Sequence, residues 1–262
     1  MSGIRTPAVA GLFYPADAEE VGTQVRRFIS ESSADHTPPP KALIAPHAGY
    51  IYSGPIAGSA YAQLEQVADR ISRVVILAPA HRIAFKGLAL SSADFFRTPL
   101  GDLEVDRAAI QVISDLPQVH LFDQAFDNEH SIEVHLPFLQ ETLPSFRILP
   151  ILVSEASPGE IDEVLEHLWG GDETLILVSS DLSHYLDYES AKKMDAEASR
   201  AIEALRPEDL SYHHACGRTP VSGLLLAARR HRLTATTLDQ RNSGDTAGPR
   251  NQVVGYGAYA FY

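Results

Sequence analysis

The sequence predicts an α/β fold: one domain spanning residues 1–262, with a mixed central sheet and helices on both of its faces. Continuous Val/Ile/Leu runs such as RVVILAP, RILPILV and TLILVS recur along the chain, and runs without polar alternation belong to strands covered on both faces. Segments of helical spacing separate these runs, giving a βαβ rhythm. With 262 residues, 45% of them hydrophobic, the chain buries a full core without disulfides or a structural metal.

In chain order, the polar, proline-ending segment Ser30–Pro40 reads as a surface loop too short to separate domains. KALIAP gives a buried strand, Pro55–Ala68 a helix, RVVILAP a second strand, and GLALSS and the short run Leu103–Val105 two more. Asp106–Ser114 and Glu129–Glu141 read as helices, RILPILVS as a strand, and Pro158–Trp169 as a helix with an acidic start. TLILVSS is another buried strand, and Glu189–Leu205 and Thr219–Arg230 complete the helices. TATTLDQ and QVVGYGAYAFY close the chain as strands, the last alternating and aromatic, which suits antiparallel pairing.

Composition excludes several classes. With 34 acidic against 21 basic side chains the net charge is −13, whereas nucleic-acid and anionic-membrane surfaces need clustered Lys and Arg. Small molecules, peptides or proteins are the expected partners. A single cysteine, Cys216, excludes a disulfide framework and any CxxC zinc site. The opening MSGIRTPAVAGLFYPAD lacks a basic segment followed by an apolar one, and no run approaches the ~18 apolar residues of a membrane span, so a reducing cytoplasm is the expected location. Nucleophile-elbow, P-loop and dinucleotide glycine motifs do not occur.

In α/β folds the ligand crevice lies beyond the carboxyl ends of the strands. After KALIAP comes His47, after RVVILAP comes His81, and after TLILVSS come Asp181 and His184. Neutral imidazole is the commonest transition-metal ligand, and two histidines with one carboxylate leave coordination positions open for substrate. His47 and His81 are therefore the ligand candidates, each preceded within two residues by a proline that fixes the backbone leaving its strand. Asp181 reads equally as a helix cap or as the partner of His184 acting as a general base.

DNEHSIEVHLPFL packs Glu129, His130, Glu133 and His135 together. On a helix His130 and Glu133 share a face, whereas His130 and His135 diverge and are poor joint ligands. The segment is either an acidic first turn behind an Asp127 or Asn128 cap or part of a pocket lined by His130, Glu129 and Tyr50. Asp245 beside Gly244 reads as turn chemistry. Cys216, in HHACGRTP, reads as a half-buried thiol at a helix start, since its spacing to His213 and His214 defines no Cys–His nucleophile.

RTPAVAGLFYP, PHAGYIYSG, LAPAHR, FDNEHSIEVHLPFL, SSDLSHY, CGRTPVSGLLL and NSGDTAG with VVGYGAYAF together resemble the Memo family, in the family's order and over essentially the whole chain. The resemblance implies the fold of class III extradiol ring-cleaving dioxygenases, whose iron sits between two histidines and a carboxylate. It matches His47 and His81 to the two metal-binding histidines and His184 to the acid/base histidine; Asp181, as the group orienting His184, and His130, in the pocket, complete the catalytic candidates read from the residues themselves. Animal members are described with two histidines and a cysteine holding iron or copper, the cysteine being placed in the loop before the last strand. This sequence has none there, which leaves Asp245 as the third-ligand candidate and a harder, Fe(II)-preferring set, with Cu or Zn as alternatives. The implied function is a non-haem iron, dioxygenase-like oxidoreductase on a small or peptide-borne substrate. The alternative is a non-catalytic protein that recognises a peptide or partner through the same pocket, and metal-dependent hydrolysis uses the same residues with Zn(II). Microbial members occur alongside an AMMECR-type protein and a radical-SAM protein, the AmmeMemoRadiSam grouping, which makes those two proteins expected partners; animal members are described as binding phosphorylated receptor peptides.

Overall fold

The apolar runs line up side by side as the interior strands of one large sheet. The structure, a computed structural model, describes residues 3–33 and 38–262; part of the expected loop Ser30–Pro40 thus lies outside the described residues. The strands are β1 (Ile4–Arg5), β2 (Ala42–Ala45), β3 (Arg73–Pro79), β4 (Leu88–Leu90), β5 (Phe95–Thr98), β6 (Gly101–Glu104), β7 (Val119–Leu121), β8 (Arg147–Val153), β9 (Thr174–Ser179), β10 (His184–Leu186), β11 (Ala235–Asn242) and β12 (Val253–Phe261). The α-helices are α1 (Ala18–Ser30), α2 (Tyr50–Tyr61), α3 (Arg107–Ile113), α4 (Leu136–Thr142), α5 (Pro158–Leu168), α6 (Tyr188–Glu203) and α7 (Arg218–Arg230).

The main sheet runs β10-β12-β2-β9-β3-β8-β4-β7, with β11 paired to β12. Its centre, β2-β9-β3-β8, is parallel, while β12 on β2, β11 on β12 and β4 on β8 are antiparallel. A separate small sheet joins β1, β5 and β6.

Alternate residues of each central strand enter opposite cores. Leu43, Ala45, Val74, Ile76, Leu175 and Leu177 face Val25 and Phe28 of α1, Ile56 and Tyr61 of α2, and Phe138 of α4. Ala42, Ile44, Val75, Leu77, Ile176 and Val178 face Ile161 and Leu165 of α5, Ile202 of α6 and Leu224 of α7. This two-sided burial explains runs with no polar alternation, and each fully buried large aliphatic side chain stabilises the fold by about 1.5–3 kcal/mol.

Two helices differ from their expected spans. The one expected over Pro55–Ala68 begins at Tyr50, carries Pro55 inside it, and passes into a 3-10 stretch over Ala62–Val67. Pro55 costs one intrahelical bond, yet the buried face Ser53, Gly54, Ala57 and Tyr61 packs through it. Gly58 allows α1 and α2 their close approach, since a Cβ there would lie 2.4 Å from the Phe28 carbonyl oxygen. The helix expected over Glu129–Glu141 reduces to a 3-10 turn, Glu133–His135, followed by α4. Its first residues lie outside any helix, and there the backbone N–H groups of His130 and Ser131 donate to the Glu129 carboxylate at 2.8 and 3.0 Å.

Glu133, fully buried, anchors the start of the chain. Its carboxylate accepts from Arg5 Nη1 at 2.9 Å, from the N–H groups of Ala8 and Val9 at 2.7 and 2.9 Å, and from Tyr14 Oη at 2.8 Å. Among the described residues no helix is long and apolar enough to cross a membrane.

Candidate metal centre

Adjacent parallel strands deliver adjacent functional residues. Ala45 of β2 is level with Ser179 of β9, and Leu77 of β3 with Val178. The chain leaves these strands on one edge of the sheet through Pro46–His47, Ser180–Asp181 and Ala80–His81. The rings of His47 and His81 stand 5.1 Å apart, centre to centre, at 66°.

A third donor joins them from across the fold. The Cys216 Sγ lies 3.4 Å from His47 Nε2, and one ligand atom from each of His47, His81 and Cys216 falls within 4.8 Å of the others. Cys216 precedes α7, and its turn is sewn to the end of β9: its N–H donates to the Asp181 carbonyl at 3.3 Å, and the Gly217 N–H to Ser180 Oγ at 3.0 Å. Only glycine fits at 217, where a Cβ would come within 2.5 Å of the Ser179 carbonyl oxygen.

Each imidazole is oriented by an oxygen. His81 Nδ1 lies 3.2 Å from Glu129 Oε1 while its backbone N–H donates to Oε2 at 2.6 Å. A carboxylate can only accept, so Nδ1 carries the proton and Nε2 keeps its lone pair. Burial opposes ionisation of Glu129, but these bonds and the N–H of Ser131 outweigh it and hold the carboxyl at about 2. His47 Nδ1 sits 2.6 Å from the Ser179 hydroxyl.

Electrostatics keep these groups in ligand-competent or cation-dependent forms. Burial, aided by repulsion from neighbouring imidazoles, lowers the His47 pKa well below the usual histidine range, and burial lowers His130 to about 4. Neutral imidazole is the form a metal requires. Burial and the Asp181 carboxylate push the Cys216 thiol far up, so it ionises only where a cation compensates. Asp181 is itself buried and raised by that burial, although it accepts the His47 N–H at 2.8 Å.

These residues form the floor of a cavity of about 840 Å³, with Phe13, Tyr52, Arg82 and Tyr185 among its walls. His184 borders it; its Nδ1 donates to the Leu182 carbonyl at 2.8 Å, which leaves Nε2 unprotonated in the neutral ring. His130 lies nearly parallel to His81, ring centres 5.0 Å apart.

The structure thus brings together five residues singled out in the sequence, His47, His81, His130, Asp181 and His184, around one cavity. Asp245 is not with them. Its carboxylate accepts from Tyr188 Oη at 2.6 Å and from the Asn242 N–H at 3.0 Å, closing the turn after β11, and Cys216 stands beside the imidazoles instead. Tyr50 is buried, its hydroxyl donating to the Val134 carbonyl at 2.7 Å, and Tyr52, two residues on, reaches the cavity. Glu129 lies beneath the lining as the support of His81; it also falls in a second group with His81 and His130, but N–H groups already engage its oxygens. Ser179 carries no local sequence signal for a site role, while Cys216 and His135 lie in His-rich segments whose spacing argued against one.

The donor set fits a transition-metal ion. Typical bonds of about 2.0–2.1 Å to nitrogen and 2.3 Å to sulfur imply an N···S separation of about 3.5 Å at a tetrahedral angle, beside the 3.4 Å here. An oxygen holding the far nitrogen of each ligating imidazole is the usual support of metal-bound histidine.

The buried imidazoles carry a stability cost in acid. His135, held at about 3 by burial, and His130, at about 4, stay neutral in the fold, whereas in the unfolded chain they titrate near the ordinary 6.5. Between those values the unfolded chain binds more protons, so stability falls as pH drops below about 6.5. From pH 7 to pH 5 each costs about 2 kcal/mol. Urea unfolding of the metal-free protein at the two pH values measures the loss, and His135→Gln removes the share of about 2 kcal/mol that belongs to that residue; an unchanged pH dependence in that variant refutes the assignment.

The family profile described as "Memo-like protein" matches residues 5–260. A "MEMO1 family protein" of Aquifex aeolicus is 36% identical over 97% of both chains. "Protein MEMO1" of Xenopus tropicalis is 34% identical over 86% of this chain and 84% of its own. The crystal structure of an uncharacterized protein from Escherichia coli K12 shares the fold, with a TM-score of 0.52 at 12% identity, covering 84% of this chain and 98% of that one.

Proposed function

The chain belongs to the Memo family, and on that footing we propose that it is a metal-dependent, dioxygenase-like oxidoreductase acting on a small or peptide-borne substrate. His47, His81 and Cys216 would hold one transition-metal ion. The observation that carries this reading is the convergence of two oriented imidazoles and a thiol on the floor of a cavity bordered by His184 and Asp181. Fe(II) is the ion proposed, with Cu and Zn as alternatives; a thiolate softens the set relative to the carboxylate expected at Asp245 and raises the weight of copper.

When bound, the ion supplies Lewis-acid and redox chemistry. The protein supplies the rest. His184 Nε2, with its lone pair, accepts a proton from a substrate hydroxyl, and the Leu182 carbonyl holds that tautomer. Asp181, raised by burial, sits where it balances charge at the cavity floor. His130 and Tyr52 shape the space above, and Arg82 supplies a cation among its walls. An AMMECR-type and a radical-SAM protein in the same cytoplasm are the proposed partners, on the family's grouping.

The test is anaerobic reconstitution with Fe(II), Cu or Zn, followed by dialysis and elemental analysis. Wild type retains about one ion per chain and the His47→Ala, His81→Ala double variant retains none. Equal retention by the two proteins ends the metal reading. If wild type holds its ion, consumes no dioxygen with phenolic, thiol or peptide substrates, and binds peptide equally after His184→Ala, the pocket is a binding site rather than a catalytic one.

A further inference from the structure

Behind the cavity floor lies a closed chain of buried hydrogen bonds. Tyr61 Oη is 2.8 Å from His135 Nδ1, His135 Nε2 is 2.9 Å from Ser179 Oγ, and Ser179 Oγ is 2.6 Å from both His47 Nδ1 and the Ser131 carbonyl oxygen. Tyr61, His135 and Ser179 are fully or almost fully buried, and none lines the cavity.

Proton counting assigns every member. Two oxygens 2.6 Å apart need a proton between them, and Ser131 presents a carbonyl, so that proton is the serine's only one. Ser179 Oγ is then purely an acceptor toward both histidines, and its two lone pairs require an N–H from each. His47 therefore carries its proton on Nδ1 and His135 on Nε2. His135 Nδ1, left without a proton, accepts the Tyr61 hydroxyl. No other assignment leaves all these contacts attractive.

We infer that Ser179, itself fixed by Ser131 and His135, is a positioning residue that locks His47 in the Nδ1–H tautomer and so keeps a lone pair on Nε2, aimed at Cys216 and the ion site. Free histidine in water favours the opposite tautomer, so without Ser179 part of the His47 population presents an N–H to the ion. The inference rests on the metal reading above for its purpose, but the tautomer itself is a property of the metal-free chain. Glu129 does the equivalent for His81 from the other side, through a charged acceptor; Ser179 does it with a neutral one that is oriented only because its proton is taken elsewhere.

The experiment is long-range ¹⁵N–¹H correlation on the imidazoles of metal-free, ¹⁵N-histidine-labelled protein, paired with Co(II) affinity measured against a chelator. In wild type His47 shows the Nδ1–H pattern and His135 the Nε2–H pattern. Ser179→Ala mixes the His47 tautomers and weakens Co(II) roughly 10- to 100-fold, while Ser179→Thr, which keeps the hydroxyl, restores both. A proton on Nε2 of His47 in wild type overturns the inference whether or not any variant folds, as does Ser179→Ala with an unchanged pattern and affinity. Wild type that retains no ion yet shows the assigned protons sinks the metal reading alone.

Discussion

Cys216→Ser weakens retention of a thiophilic ion by more than about 100-fold, since it removes one of the three ligands proposed where loss of a supporting residue already costs about 10- to 100-fold. The Co(II)-loaded wild type shows a sulfur-to-metal charge-transfer band in the near ultraviolet, and the variant does not. The thiol's surroundings are simple: Sγ faces His47 Nε2 at 3.4 Å, accepts the Asp181 N–H at 3.3 Å and lies 3.7 Å from the Asp181 carbonyl, with Ser180 beside it. Cys216→Asp sharpens the test, because a carboxylate in the same place recreates the harder set and shifts preference from copper toward Fe(II). Competition with a chromophoric chelator, run with each ion, reads both effects. A Cys216→Ser protein with wild-type affinity and an unchanged Co(II) spectrum removes sulfur from the site.

The largest effect on stability falls on Glu133→Ala. It removes the counter-ion of the Arg5 guanidinium, whose side chain is 12% exposed and keeps only neutral acceptors, the carbonyl oxygens of Phe126 and Glu129, and it leaves the N–H groups of Ala8 and Val9 and the Tyr14 hydroxyl without their acceptor. Removing one partner of a buried ion pair costs about 3–5 kcal/mol, because the remaining charge keeps its desolvation penalty and loses its counter-charge. The urea midpoint falls by more than about 1 M, and Glu133→Gln, whose amide oxygen still accepts, recovers part of the loss. A change below about 1 kcal/mol in the alanine variant means that the anchor carries little of the fold's stability.

The two kinds of site residue differed in how far the sequence exposed them. His47, His81, Asp181 and His184 were legible because each follows an unbroken apolar run, and a parallel sheet puts whatever follows such runs on one edge. Cys216 follows no strand and is 169 residues from His47 in the chain; its arrival depends on how α7 docks against the end of β9, which only tertiary packing decides. Asp245 looked suitable for the opposite reason. Its place before the final strand was right for a ligand, but a Gly-Asp turn used the carboxylate locally, as such turns do. Tyr50 and Tyr52 show the finest limit: both belong to one motif, and the register of α2 after Gly49 decides which of them faces the cavity.

Secondary structure followed the same division. The central strands were legible from composition, since burial on two faces demands it. The helix expected from Glu129 was not, because nothing in its spacing reveals that the Glu129 carboxylate is committed to His81 and that residues 129–132 stay outside any helix. Strands β1, β5 and β10 are too short for any periodicity to reveal, and they exist only through their partners in the sheets.

The wide spacing of the three donors along the chain also sets an order of events during synthesis. A ribosome must release residue 216, and the polypeptide must then wrap back onto segments made long before, before the thiol can meet the two imidazoles. Chains that stop short of that residue therefore lack the three-donor arrangement on which the proposed metal reading depends.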